Sequence, residues 1–146
     1  MEISGTASAI LRDKSPVVST TETDATVFSA IQLMSNKNIG ALPVVDDGKL
    51  VGIISERDYT RKVILKGKSS KNTRVDEIMT RDPIVVGPDE TVAECMRLMT
   101  AKRVRHLPVL EDGKMVGILS IGDLVKWIIS AQEATIDQLT KYVFGE

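Results

Sequence analysis

The chain has 146 residues, 42% hydrophobic and 27% charged, with a formal net charge of −1. That suits one compact soluble domain or two half-domains sharing a core, and supplies no overall field for nucleic acid or a membrane surface. Aromatics reach only 3%, and a single cysteine, Cys95, stands beside a single histidine, which excludes an extended base-stacking platform, an internal disulfide and a four-ligand zinc site.

The opening, MEISGTASAILRDK, lacks a basic region followed by a long apolar stretch, so no secretory signal is expected. No apolar run approaches the ~20 residues of a membrane span. With one cysteine, the expected setting is reducing and cytoplasmic. A short β-rich run then comes at Val17-Val18. Val27, Ala30, Ile31 and Met34 follow at i, i+3, i+4 and i+7, which predicts a helix with Asp24 as its N-cap. LPVV, the turn Asp47-Gly48 and LVGII predict a tight hairpin, because Asp-Gly tolerates the positive φ that such a turn needs at both central residues. A second helix is expected near Ser55.

From Ile84-Val85-Val86 onward the same series recurs. Val92, Cys95, Met96 and Met99 repeat the helical spacing behind Asp89, LPVL and MVGIL flank Asp112-Gly113, and a helix begins near Ser120. Residues 24–64 lie over residues 89–129 without gaps, and about 18 of the 41 paired positions are identical, so the chain is a tandem duplication. Each copy reads strand, helix, strand, strand, helix. The crossover makes two strands parallel and the hairpin adds an antiparallel neighbour. One copy of about 60 residues buries too little surface to be comfortable alone, so two copies packed sheet to sheet are expected to form the folding unit. The expected architecture is α+β: tandem β-α-β-β-α repeats with pseudo-twofold symmetry. Residues 1–72 hold the first repeat with its leading segment and basic linker, 73–130 the second repeat, and 131–146 a C-terminal amphipathic helix.

The stretches IGALPVVDDGKLVGIISERD and VRHLPVLEDGKMVGILSIGD, with IMTRDPIVV ahead of the second, resemble a CBS-domain pair, or Bateman module, over residues 5–130. The segment ERDYTRKVILKGKSSKNTRVDEIMT and the tail IDQLTKYVFGE are similar to stand-alone CBS-pair proteins, in which no enzyme or channel is attached. The resemblance implies a cleft between the copies that takes adenosine-type ligands: AMP, ADP, ATP, S-adenosylmethionine or NAD(H). It also implies a disc-like homodimer.

Each copy ends its hairpin in Ser-x-x-Asp, Ser55 to Asp58 and Ser120 to Asp123. Two readings share this geometry. Ser followed three residues later by an acid is a capping box. The helix start also attracts phosphate, and an ionised carboxylate accepts hydrogen bonds from the two hydroxyls of a ribose diol. The resemblance assigns these Ser and Asp positions to phosphate and ribose contacts, and places Thr80 and Pro83 of the IMTRDPIVV stretch among the ligand-binding residues. Between them the copies differ: Arg57 adds a phosphate contact in the first, and Gly122 lets a ligand approach the backbone in the second. The two sites are therefore expected to differ in affinity or ligand.

RVRH at 103–106 replaces NIGA at 38–41. The resemblance points Arg105 and His106 at phosphates. Guanidinium pairs bidentately with phosphate, whereas an isolated histidine reads equally as an ordinary side chain. Seven basic residues and one acid lie between Arg57 and Arg74. They form a solvated face, or Arg61 or Lys62 meets a second phosphate, as in a dinucleotide; nucleic acid is not expected, for want of aromatics and a reader motif. No Walker loop, dinucleotide fingerprint or catalytic triad is present. Cys95 reads as core, and Trp127 as a packing or partner residue. Ile136, Leu139 and Val143 make the tail amphipathic, capping the core or joining a dimer interface; a membrane-surface role lacks its basic face.

The function expected is a non-enzymatic sensor for adenine nucleotides, AMP, ADP/ATP or NAD(H), with no catalytic cofactor. Binding would shift the angle between copies or between chains of the dimer and so alter affinity for an effector protein. The alternative is a dimerisation module with no physiological nucleotide.

Overall fold

Both hairpins form as their Asp-Gly turns demand. In the computed structural model, which describes residues 3–14 and 17–144, β2 (Ala41–Asp46) pairs antiparallel with β3 (Lys49–Ser55), and β5 (His106–Glu111) with β6 (Lys114–Ser120). Asp47 and Gly48 adopt φ of 51° and 78°, Asp112 and Gly113 52° and 77°, the left-handed conformations of a two-residue turn. Each hairpin shifts register at the same place, between Val44 and Val45 and between Val109 and Leu110. The duplication therefore reaches down to a β-bulge.

The chain forms two compact units, residues 17–84 and residues 1–16 with 85–146. In the first, β1 (Thr21–Glu22) runs parallel to β2, and β4 (Thr80–Arg81) closes the other edge beside β3, in the order β1-β2-β3-β4. Helix α2 (Val27–Lys37) buries Val27, Ala30 and Met34 against Leu42, Val44 and Ile54. After β3 come α3 (Glu56–Tyr59), a π turn at Thr60–Ile64, and α4 (Val75–Ile78). In the second unit, α5 (Val92–Lys102) buries Val92, Cys95 and Met99. Val86 alone bridges Val109 in parallel, where Ile84-Val85-Val86 was expected as a strand. The parallel pairing across strand, helix, strand is thus kept in both units.

Four expectations need correction. The first strand is not at Val17-Val18 but at Thr21–Glu22; the adjoining Ser15 and Pro16 lie outside the described residues. The N-caps are not Asp24 and Asp89 but Thr26 and Thr91, whose hydroxyls accept from the amides of Ser29 and Glu94 at 3.1 Å each. The helix cannot start earlier, because Ala25 O is taken by the amide of Val75 at 2.8 Å and Thr26 bridges Arg74. Third, the tail is no separate helix: α6 runs unbroken from Ile121 to Phe144. Fourth, residues 132–144 of that helix are exposed and do not cap the core.

The leading segments pack where the linear repeat does not show. α1 (Ala7–Arg12) precedes the first copy yet belongs to the unit of the second, while α4 precedes the second copy and belongs to the unit of the first. Their contacts correspond. The amide of Ala7 donates to Glu90 O at 2.8 Å and Val92 N to Gly5 O at 3.0 Å; Val75 N donates to Ala25 O and Val27 N to Thr73 O, both at 2.8 Å. In each unit a borrowed segment satisfies the unpaired amides at the start of the long helix. Trp127 serves this packing, its ring against Gly5 and its Nε1 donating to Ser4 O at 2.8 Å.

Candidate ligand site

The two Ser-Asp pairs are built alike. In the 17–84 unit, Ser55 ends β3 in extended conformation and its Oγ accepts from Asp58 N at 3.1 Å; Asp58 Oδ2 accepts from Ser55 N and from Ser55 Oγ, both at 3.0 Å. In the other unit, Ser120 ends β6, its Oγ accepts from Asp123 N at 3.1 Å, and Asp123 Oδ2 accepts from Ser120 N at 2.8 Å. Both capping boxes therefore exist. They also fix each carboxylate at the strand-to-helix corner.

A lysine closes each corner. Lys62 Nζ lies 3.0 Å from Asp58 Oδ1 and donates to Ile78 O at 2.8 Å. Lys14 Nζ lies 2.7 Å from Asp123 Oδ2 and donates to Ile118 O at 2.8 Å. The arrangement repeats, but the residues do not. Lys62 aligns with Trp127 in the duplication, and Lys14 comes from the leading segment, 109 residues from its partner. Sequence reasoning missed Lys14, since no motif or period links positions so far apart.

The corners differ in what they leave open. Both oxygens of Asp58 are engaged, and its side chain is 12% exposed; the Asp123 side chain is 23% exposed. Among the described residues, every hydrogen bond to the Asp123 carboxylate falls on Oδ2, so Oδ1 keeps its lone pairs. Burial pushes the Asp123 carboxyl up, but Lys14 and the Ser120 amide outweigh it and hold the group below the usual carboxylate range. It is ionised at neutral pH.

The other candidates divide between the units. His106 opens β5 directly opposite Ser120 and so stands at the second corner. Exposed Arg105 lies just before it, and its carbonyl accepts from Ile121 N at 2.9 Å, holding the first turn of α6. Gly122 is exposed on that turn. In the first unit, Arg57 and Arg61 are exposed and form no ion pair among the described residues. Thr80 pairs with Ile53 on the sheet edge and Pro83 is half-buried beyond it, and among the described residues neither is bonded to the Ser55–Asp58 corner. Part of the basic stretch is spent locally: Lys71 stands 4.9 Å over the Phe28 ring, and Arg74 binds Asp76. A cleft of about 600 Å³ lies elsewhere in the 17–84 unit, between Met34 of α2 with its C-cap Asn38 and Glu56 and Tyr59 of α3, and none of the candidate residues lines it.

Cys95 is fully buried, and burial with Glu90 and Glu94 pushes its thiol up to about 11, so it is core and no nucleophile. His106 is pulled below its ordinary value by burial and then by Lys14, with Arg105 adding and Asp123 opposing. A depressed histidine binds fewer protons folded than unfolded, so its stabilising contribution is complete above about pH 6.5 and falls as pH drops toward the folded value. Thermal unfolding between pH 7.5 and pH 5 is expected to show a loss of stability that His106→Gln reduces.

The geometry defines a duplicated α+β module with one polar corner per copy. Two matches to the CBS domain profile, at residues 8–64 and 75–130, show that the chain belongs to the CBS-domain family, as a CBS pair. It is 44% identical over 84% of its length to the mitochondrial CBS domain-containing protein CBSX3 of Arabidopsis thaliana, and 32% identical over 73% to YhcV of Bacillus subtilis. The chain spans 62% of the Arabidopsis protein and 76% of the Bacillus one. Among solved structures, a proposed signal-transduction protein with CBS domains from Burkholderia ambifaria matches with a TM-score of 0.85 and 50% identity, over 88% of this chain and 96% of that one. The family is one of regulatory and signal-transduction proteins. No helix among the described residues is long and apolar enough to cross a membrane.

Proposed function

We propose that the chain is a regulatory module responsive to an adenine nucleotide, with AMP, ADP/ATP and NAD(H) as candidate ligands and no catalytic step of its own. The observation that carries this is the corner at Ser120 and Asp123: an ionised, partly open carboxylate with an uncommitted oxygen, fixed at the start of a 24-residue helix and flanked by Lys14, Arg105 and His106. Asp123 Oδ1 accepts a ribose hydroxyl. The helix start and the cations stabilise phosphate. Arg57, Arg61 and Lys62 give the first corner a comparable charge, with Ser55 and Asp58 in the same roles. Thr80 and Pro83 belong to the ligand set by family resemblance.

Occupancy would reset Lys14 or Lys62, because the ligand competes for the same carboxylate, and the output would be altered association with a second copy or an effector protein. The lone buried cysteine supports a reducing compartment, with the cytoplasm as the expected one. Isothermal titration with AMP, ADP, ATP and NAD(H) is expected to show micromolar binding of at least one. Silence across that panel would leave the second reading, a dimerising scaffold, which is favoured by one observation: the capping boxes account for both Ser-Asp pairs without a ligand.

A further inference from the structure

Helix α6 has two apolar faces, and only one is covered. Leu124, Trp127, Ile128 and Ala131 are buried or half-buried at helical spacing. That stripe stops at Ala131: its next positions are Thr135 and Gln138, and every residue from Gln132 to Phe144 is exposed. A second stripe starts one residue further along and does not stop. Val125, Ile129, Gln132, Ile136, Leu139 and Val143 alternate in steps of four and three, a heptad seam. Its aliphatic members are 42, 50, 61, 59 and 69% exposed in chain order.

We infer that this seam pairs two copies of the chain through a parallel, two-stranded coiled coil of α6. Three observations choose the occupant and its orientation. Ile129, Ile136 and Val143 share one heptad position and are all β-branched, while Leu139 stands at the other with Val125 and Gln132; β-branched residues at the first position and leucine at the second favour two parallel strands. Charge agrees. Full antiparallel overlap sets Glu133, beside the seam, against Glu133 of the second copy, a like-charge contact that the parallel register avoids. The area is of the right order: the five aliphatic side chains expose on the order of 500 Å² per chain, so a pair offers up to about 1,000 Å² for burial, the scale at which specific interfaces begin. The exposed end of α6 also needs a partner, since an isolated helix of about a dozen residues is marginal in water. Nothing in this pairing depends on nucleotide binding.

Oxidation of the full-length Leu139→Cys variant, followed on non-reducing gels, tests the pairing. In the parallel coil the two substituted positions meet across the seam, and rapid covalent dimerisation is expected. Gln138→Cys, on the far face, should stay monomeric under the same conditions, and native Cys95 is buried in both. Adding Ile136→Glu to Leu139→Cys should slow the crosslinking roughly tenfold by placing a charge in the seam. Equal rates for Leu139→Cys and Gln138→Cys, or no effect of Ile136→Glu, would overturn the inference.

Discussion

Asp123→Ala is expected to weaken nucleotide binding roughly tenfold to a hundredfold, the loss of a charge-assisted hydrogen bond. Asp58→Ala should cost less, because Asp58 already spends both oxygens on Ser55 and Lys62 whereas Asp123 keeps Oδ1 uncommitted among the described residues. Both substitutions also remove a capping box, at a cost of about 1 kcal/mol of stability each. Asp123→Ala further strands Lys14, a partly exposed partner that adds little. The two effects separate in Asp123→Asn. Its amide oxygen still accepts from Ser120 N, so the melting temperature should stay near that of the unsubstituted chain, while the missing charge lowers affinity. Titration of the three variants beside thermal melts checks this. Melting that falls with unchanged affinity in both alanine variants would reduce the corners to helix caps.

Gly52→Ala is expected to destabilise the chain by about 1–3 kcal/mol, although alanine is ordinarily the better strand residue. A Cβ at position 52 would lie 2.7 Å from Met79 Sδ and 2.8 Å from Thr80 O. The thioether can turn aside, but Thr80 is held in β4 by its pairing with Ile53, so the backbone must move. Gly117 is its counterpart in the duplication, and a Cβ there meets Leu11 Cδ2 at 2.6 Å and Cδ1 at 2.8 Å. Those are tips of a flexible side chain, so Gly117→Ala should cost less than Gly52→Ala. Urea unfolding of both variants gives the comparison. Equal losses would show that the Thr80 carbonyl is not the obstacle.

The repeat, both Asp-Gly hairpins, the buried faces of α2 and α5 and the Ser-Asp corners were all legible in the amino-acid sequence. Each is a local pattern, complete within a few residues, and local hydrogen bonding and helical or strand periodicity suffice to write it. Helix starts were misplaced by two residues, from Asp24 to Thr26 and from Asp89 to Thr91, because distant carbonyls at Thr73 and Gly5 receive the first helical amides. A capping preference cannot see such a partner.

What the sequence determined by itself is the duplication and its chemistry: two acids on two corners, with cations nearby and a seam of aliphatic residues along α6. Tertiary structure alone decided which segment completes which unit. It set α1 beside the second copy and α4 beside the first, brought Lys14 to Asp123 across 109 residues, and gave the first corner a lysine from its own helix instead. The physical reason is that a long-range contact depends on the packing of whole elements, and the residues that make it need no spacing, period or likeness to one another.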